Sequence, residues 1–308
     1  MSTFSGKSLV SLKGWSTNEV LEMIDLAIEI KAAPRRFTQS LDGKTVALLF
    51  QKTSTRTRCA GEIAIAQMGG HSVYLDWRTT NFALADLRDE IRSLSSYTDL
   101  ILARLLSYED IVVAEKNATA PIINGCCNRY HPTQALGDLM TIKEKLGKLE
   151  GVKLTYVGMP NNVSNSLIRA GMLVGMHVAV VAPESNPLIE DVELYQQAQS
   201  AGTYSTTGDI KQAVEGCDIV YTDTWVDMEF FKDPNFVEEK KRRIEAFQPY
   251  QLNHQLLGDR QVLVMHCLAA HRGYEITGQL LDDPRSIVFC QSENRLHSMK
   301  SIFHRLLS

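Results

Sequence analysis

Short, nearly all-apolar segments alternate with helical patterns along most of the chain. In the first half these β-prone segments are KTVALLF, HSVYL, DLILAR and APIING, and in the second half they are KLTYVG, HVAVVA, DIVYTD, QVLVMHC and SIVFC. Uniformly apolar strands separated by helices are typical of parallel sheets that are covered on both faces. The pattern therefore predicts an α/β protein whose ligand sites lie beyond the carboxyl ends of its strands.

One long helical pattern separates the two groups of strands. It runs from His131 to Gly151 and ends in a stretch rich in lysine and glycine. We predict two domains, residues 1–145 and 146–308, each a mostly parallel sheet flanked by helices, with this long helix connecting them. The charged run at 237–247 is most simply the solvated face of another helix.

Composition and charge narrow the classes of function. The chain has 308 residues, 44% of them hydrophobic, which is enough apolar material for two cores. A formal net charge of -4 argues against a nucleic-acid binder that works through a general basic field. No apolar run approaches membrane-spanning length, the first residues lack a targeting pattern, and the six cysteines show neither a CxxC pair nor disulfide-like spacing. We expect a cytoplasmic protein with reduced thiols, no zinc site, and no nucleic-acid or membrane partner.

The segment FQKTSTRTR, residues 50–58, places hydroxyl and guanidinium groups where a strand gives way to a helix. The first N–H groups of a helix lack intrachain partners and its dipole is positive there, so such a turn suits a phosphate. The residues that would present donors to one anion are Ser54, Thr55, Arg56 and Thr57. Taken alone, the motif could equally be a Ser/Thr helix cap beside solvated arginines.

Three further polar residues of the first half follow predicted strands. Arg104 ends DLILAR, where its guanidinium can reach a crevice shared with the Ser54 turn, although a surface ion pair is the simpler alternative. His131 and Gln134 lie one turn apart at the start of the long helix, where Pro132 is well tolerated. A histidine that donates and a glutamine that both donates and accepts suit a group with C=O and NH2, but a lone HPxQ is more often a cap.

The second half offers amide, carboxylate and thiol groups at corresponding places. Asn161 and Asn162 follow the strand KLTYVG, without the GxGxxG pattern of a dinucleotide site. Asp223 ends DIVYTD, where a carboxylate can pair with an ammonium group or cap a turn. Cys267 follows QVLVMH, and a small buried side chain is the commonest fate of such a cysteine.

Five motifs along the chain resemble, in order, those of the aspartate and ornithine carbamoyltransferase family. FQKTSTRTR resembles the family's carbamoyl-phosphate signature, and HPTQ resembles its HPxQ element. GMPNNVSNS resembles the ornithine-type Gly-x-x-Asn-Asn-x-x-x-Ser segment, HCLAAHRGYE resembles HCLPxxRGxE, and ENRLHSMK resembles ENRxHxxK. The similarity covers nearly the whole chain and is closest to the ornithine branch.

The resemblance implies transfer of a carbamoyl group from carbamoyl phosphate to the side-chain amine of L-ornithine, giving citrulline and phosphate. It implies a first domain that binds carbamoyl phosphate and a second that binds the amine, with the C-terminal helix returning to the first. The implied carbamoyl-phosphate residues are Ser54, Thr55, Arg56, Thr57, Arg104, His131, Gln134, Cys267, Leu268 and Arg295. Of these, the implied catalytic residues are Arg104, His131, Cys267 and Arg295. The implied amine-binding residues are Asn162, Asp223, Asp227 and Met228. No metal or organic cofactor is expected, because a mixed anhydride is already activated, and the family's assembly implies a homotrimer or a multiple of trimers.

The departures from the family pattern gather around the second substrate. After Asp-x-Trp the ornithine branch has Val/Ile-Ser-Met-Gly, whereas this chain has Asp227 in place of the serine and Glu229 in place of the glycine. These exchanges add charge and remove backbone freedom. Ala269 also replaces the usual proline, which leaves the conformation of the Leu268–Ala269 bond open. The alternatives are the same chemistry on another amine, such as putrescine, an N-acylornithine or lysine, or a carbamoyltransferase-like protein that binds without turnover.

Overall fold

In a computed structural model the chain folds into two compact units. The first unit comprises residues 1–147 and 293–308, and the second comprises residues 148–292. The structure describes the following residues: Phe4, 6–226 and 230–307. Each unit contains a parallel sheet with helices, so the predicted α/β fold is confirmed.

The first unit is built on a four-stranded sheet in the order β2-β1-β3-β4. Its strands are β1 (Thr45–Phe50), β2 (His71–Asp76), β3 (Leu100–Arg104) and β4 (Ile122–Asn124). Its helices are α1 (Thr17–Ala32), α2 (Arg56–Gln67), α3 (Leu87–Ser95), α4 (Tyr108–Asn117), α5 (Pro132–Leu146) and most of α12 (Val288–Leu307). Single 3-10 turns occupy Pro34–Phe37, Trp77–Thr79 and Asn81–Ala83.

Local sequence accounts for the elements that border the site in this unit. β1 is buried at every position after Thr45, as expected for a strand that is covered on both faces. α5 begins at Pro132, whose missing N–H costs nothing in the first turn. It ends before Gly147, which has a left-handed φ of 72° that suits glycine.

The order of the strands fixes where ligands can bind in the first unit. All three strand pairs are parallel, and the chain proceeds from β1 to β2 on one side and to β3 on the other. The crevice beyond the carboxyl ends of β1 and β3 is therefore a topological switch point, the usual ligand position in open α/β sheets.

The second unit carries a five-stranded parallel sheet in the order β7-β6-β5-β8-β9. Its strands are β5 (Lys153–Val157), β6 (His177–Val181), β7 (Tyr204–Thr207), β8 (Ile219–Thr222) and β9 (Leu263–His266). Its helices are α6 (Asn162–Val174), α7 (Val192–Ser200), α8 (Ile210–Ala213), α9 (Val237–Phe247), α10 (His254–Leu257) and α11 (Gly278–Leu281), and its 3-10 turns are Pro234–Phe236 and Gln248–Tyr250. Its switch point lies between β5 and β8.

Two expectations about strands were wrong. The apolar segment SIVFC is not a strand, since Ser286 makes only an isolated bridge to Val264 and α12 begins at Val288. A short apolar run has no period that separates a strand from a buried helical turn. The edge strand β7 was missed because its sequence, YSTT, is polar and largely exposed.

Two global features complete the fold. All six cysteines lie among the described residues and form no disulfide. None of the helices in the described part of the chain combines the length and the apolar character needed to cross a membrane.

Candidate active site

The turn between β1 and α2 provides hydroxyl and backbone donors in the first unit. α2 begins at Arg56, two residues later than the sequence suggested. Thr55 is the N-cap residue, but its side chain does not cap the helix. The Ser54 hydroxyl instead accepts from the backbone N–H of Thr57 at 3.3 Å. The start of α2 is therefore only partly capped by the protein, and its remaining donors are oriented for an anion.

Arg104 reaches the same edge of the sheet. It pairs in register with Phe50, and its backbone carbonyl accepts from the N–H of Gln51 at 2.9 Å. Its Nε is buried and has no hydrogen-bond partner among the described residues. The sheet register thus places a guanidinium beside the turn that leads to α2, as the sequence predicted.

Arg295 connects three elements that are far apart in the sequence. It is 3% exposed, and it donates from Nη1 to Oε1 of Gln134 and from Nη2 to Oγ1 of Thr57 at 3.3 Å. A side chain added at Gly137 would lie 3.1 Å from Cδ of Arg295, so the glycine allows α12 to approach α5 closely. The structure therefore brings together Thr57, Gln134 and Arg295, which the sequence proposed separately.

His131 lies within the field of several positive charges. Burial is the main cause that lowers its pKa well below the ordinary value, and nearby cations lower it further. These cations are Arg295, Arg104, Lys52 and Arg56. The imidazole is therefore neutral near pH 7, and the predicted arginines lie close enough to form one electropositive cluster.

Lys52 is a residue of this cluster that the sequence analysis did not select. It is half-buried and its charge acts on both His131 and Cys127. Its place inside the FQKTSTRTR motif was the available signal. Arg58, the second arginine of the motif, is directed elsewhere, because it bonds Glu62 at 3.0 Å and stacks 3.5 Å over the Tyr74 ring.

In the second unit, Asp223 lies just beyond β8 and is held by two neighbours. One carboxylate oxygen accepts from Nδ2 of Asn161 at 2.6 Å, and the other accepts from the backbone N–H of Thr224 at 2.8 Å. Asn161 also caps α6 through its side-chain oxygen. The asparagine that contacts Asp223 is thus Asn161, whereas the predicted amine ligand Asn162 begins the first turn of α6.

The turn after β9 carries Cys267 between two ordered neighbours. The Leu268 N–H donates to Nδ1 of His266 at 2.8 Å, so the proton of that ring is on Nε2, which donates to Glu275 at 3.0 Å. The Leu268–Ala269 peptide bond is cis. Cys267 is half-buried. A buried carboxylate therefore fixes the turn that presents the cysteine.

Asp223, His266 and Cys267 also form a group of potential metal ligands. One donor atom from each lies within 4.8 Å of the other two. Both ring nitrogens of His266 are already engaged, however, with Leu268 and Glu275. A metal would have to displace one of these bonds, so the arrangement fits an acid–imidazole clamp better than a metal centre.

His271 and Glu275 extend this network and were not selected from the sequence. The Nδ1 atom of His271 lies 3.1 Å from Oγ1 of Thr224, and its backbone N–H donates to Glu275 at 2.6 Å. Phe231 stacks on the His271 ring at 3.8 Å between centroids. Burial lowers the pKa of His271. The predicted amine-binding residues Asp227 and Met228 lie outside the described residues.

Comparison with known proteins gives the same family for both units. Residues 7–144 match the carbamoyl-P binding domain of aspartate/ornithine carbamoyltransferase, and residues 150–306 match its Asp/Orn binding domain. The anabolic ornithine carbamoyltransferase of Pyrococcus furiosus is 38% identical over 311 residues, 97% of this chain and 96% of the relative. The ornithine carbamoyltransferase of Methanosarcina acetivorans is 36% identical over 307 residues, 98% of this chain and 99% of that one.

Solved structures agree with these relatives. The ornithine carbamoyltransferase structure from Pyrococcus furiosus superposes with a TM-score of 0.91 at 36% identity, covering 100% of this chain and 98% of that one. The enzyme from Thermus thermophilus superposes with a TM-score of 0.86 at 35% identity, covering 98% and 99%. With both domain models matched and similarity along nearly its full length, the chain belongs to the aspartate/ornithine carbamoyltransferase family.

Proposed function

We propose that this protein transfers the carbamoyl group of carbamoyl phosphate to the side-chain amine of L-ornithine, giving citrulline and phosphate. The observation that carries this proposal is the convergence of Arg295, Thr57 and Gln134 beside a neutral, cation-surrounded His131. The relatives of known name are ornithine carbamoyltransferases, which supports ornithine as the acceptor.

The phosphate of the substrate binds at the start of α2. The backbone N–H groups and hydroxyls of Ser54, Thr55 and Thr57 supply neutral donors, and Arg56 supplies a charged one. Arg104, at the end of β3, adds a second guanidinium whose Nε has no protein acceptor among the described residues. A doubly charged phosphate would satisfy these donors together.

The carbamoyl end binds His131, Gln134 and Arg295. A bond from the Thr133 hydroxyl to Nδ1 of His131, 3.3 Å apart, leaves the ring proton on Nε2, where it can be donated to the carbamoyl oxygen. That oxygen gains negative charge when the amine attacks. Donors already in place therefore stabilise the transition state more than the ground state.

The reaction forms one bond and breaks another. The neutral amine attacks the carbamoyl carbon, the C–N bond forms, and the bond from that carbon to the phosphate ester oxygen breaks. Phosphate leaves and can take up the proton that the amine loses. In the second unit, Asp223 and an asparagine of the 161–162 pair bind the amino-acid part of the acceptor, and Cys267 and Leu268 contact the reacting groups. Asp227 and Met228 complete our proposed amine site.

A different acceptor is the second candidate, because Asp227 and Glu229 replace the serine and glycine usual in the ornithine branch. The extra carboxylates would favour an acceptor with an additional positive charge, such as putrescine or lysine. Incubation of the protein with carbamoyl phosphate and a panel of amines, scored for ureido product, separates these acceptors. Binding of a bisubstrate phosphonate with no product from any amine would instead indicate a non-catalytic protein. We also propose a cytoplasmic homotrimer, or a multiple of trimers, as the working form.

Two arginines of one motif provide the test of the phosphate site. Arg56→Ala removes a donor to the phosphate and should lower turnover by on the order of 100-fold to 1000-fold or more. Arg58→Ala is the matched control, since the Arg58 guanidinium is committed to Glu62 and Tyr74. Wild-type turnover in the Arg56 variant, or equal losses in both variants, would contradict the assignment.

A further inference from the structure

A buried carboxylate lies behind the carbamoyl site and has no role in the reaction as described above. Asp138 is 0% exposed and follows Gln134 by one turn of α5. Its Oδ1 accepts from Nε2 of Gln134 at 2.8 Å. Building on the proposed function, we infer that Asp138 is a positioning residue, which sets the orientation of the Gln134 amide and thereby the recognition of the carbamoyl NH2 group.

The neighbours of Gln134 determine which end of its amide points where. An ionised carboxylate only accepts hydrogen bonds, so the end that faces Asp138 is the NH2 group. A guanidinium only donates, so the end that faces Arg295 is the carbonyl oxygen. Both neighbours impose the same orientation. The amide cannot rotate by half a turn without facing two donors with each other at one end and two acceptors at the other.

This orientation makes Gln134 an acceptor toward the substrate. Its Oε1 has two lone pairs, one of which receives Nη1 of Arg295. The second lone pair is available for a carbamoyl N–H. Acetyl phosphate has a methyl group in place of that NH2 and leaves the lone pair without a donor. A site built to pair a substrate N–H rejects an analogue that lacks it more strongly than an apolar pocket rejects a change of shape.

Asp138 would therefore determine selectivity between carbamoyl and acetyl phosphate as well as rate. The dyad is buried at both members, with Gln134 at 2% exposure, so water cannot easily replace the missing partner when one is changed. The dyad can also be reversed. A glutamate at 134 and an asparagine at 138 would restore the bond with its donor and acceptor exchanged, and the glutamate would still accept from Arg295.

The test is a double-mutant cycle with Gln134→Glu, Asp138→Asn and the combined variant. Each is assayed for kcat, for KM of carbamoyl phosphate, and for Ki of acetyl phosphate as a competitor. We expect each single change to lower kcat/KM for carbamoyl phosphate by about 10-fold to 100-fold, since one buried partner is left unpaired. The combined variant should recover to within about tenfold of wild type, because contacting residues are coupled. Asp138→Asn should also narrow the gap between carbamoyl and acetyl phosphate.

The outcomes separate this inference from the proposed function. A wild-type protein that makes no ureido product from any amine overturns the function itself. An active wild type with an unaltered Asp138→Asn variant, or a combined variant no better than the worse single one, overturns the role of Asp138. If Asp138→Asn fails to fold by urea unfolding, Gln134→Met keeps the test, since loss of the acceptor alone should narrow the gap between the two phosphates. An unchanged gap in that variant would contradict the inference.

Discussion

The substitution Gly137→Ala adds one methyl group to the middle of α5 and tests whether Arg295 must lie where it does. The added carbon would be 3.1 Å from Cδ of Arg295 and 3.3 Å from Oγ of Ser298. Ordinary van der Waals contact begins at 3.4 Å, so these neighbours would have to move by a few tenths of an ångström. The carbon that moves is the one that leads to the Arg295 guanidinium.

The expected loss follows from the place of Arg295. Removal of a donor to a developing oxyanion costs about 100-fold to 1000-fold in rate, and a misplacement by about 1 Å costs on the order of 100-fold. A shift of tenths of an ångström should therefore lower kcat by about tenfold. Stability should change little, because alanine gains up to about 1 kcal/mol over glycine inside a helix, against a crowding cost on the order of 1 kcal/mol.

The assay is ureido-product formation from carbamoyl phosphate and ornithine, combined with urea unfolding of each variant. Lys145→Ala is the matched control, because Lys145 lies on the exposed side of the same helix. Wild-type kcat in the Gly137 variant would refute the claim that the position of Arg295 is critical. A similar loss in the Lys145 variant would point to a general disturbance of the helix instead.

Three further predictions concern single residues. Arg104→Ala should raise KM for carbamoyl phosphate by at least about tenfold while KM for the amine stays near wild type, and steady-state kinetics with the opposite pattern would contradict its place at the phosphate. Glu275→Ala leaves the buried donors of His266 and His271 without their acceptor and should cost about 2 to 4 kcal/mol in urea unfolding; Glu275→Gln keeps one acceptor and should cost less. Because the pKa of His131 is depressed in the folded state, the unfolded chain binds more protons as pH falls below about 6.5, and stability falls by at most about 1.4 kcal/mol per pH unit. His131→Gln should show a shallower fall between pH 7 and pH 5, and parallel curves would count against a neutral buried His131.

The sequence was sufficient for the phosphate side of the site because the relevant signals are local. A strand, a short turn and a helix start lie within residues 45–57, and their order alone directs the donors toward one place. Arg104 could be added because parallel strands end at the same edge of a sheet. Neither inference required knowledge of contacts between distant segments.

Other residues could not be found in this way, because their roles depend on long-range neighbours. Gly137 matters only because α12 approaches α5 at that point. Asp138 is an ordinary helical aspartate until Gln134 and Arg295 are seen together. Likewise, the choice between Asn161 and Asn162 depends on which side chain faces Asp223 across the sheet edge. A periodic pattern identifies a buried face but not the partner on it.

The two units differ in how firmly their candidate residues are fixed, and this bears on how the acceptor could change. In the first unit, each group that polarises the carbamoyl end is buried and is bonded by another member of the same set, so a single exchange there damages chemistry and binding together. The sequence departures of this chain fall instead in the second unit, at Asp227 and Glu229. Because acceptor choice is a difference between affinities, added charge in that segment can redirect it without altering the transfer step. Conservation of chemistry and divergence of acceptor are therefore compatible within one chain, and the amine panel decides between ornithine and its more cationic competitors.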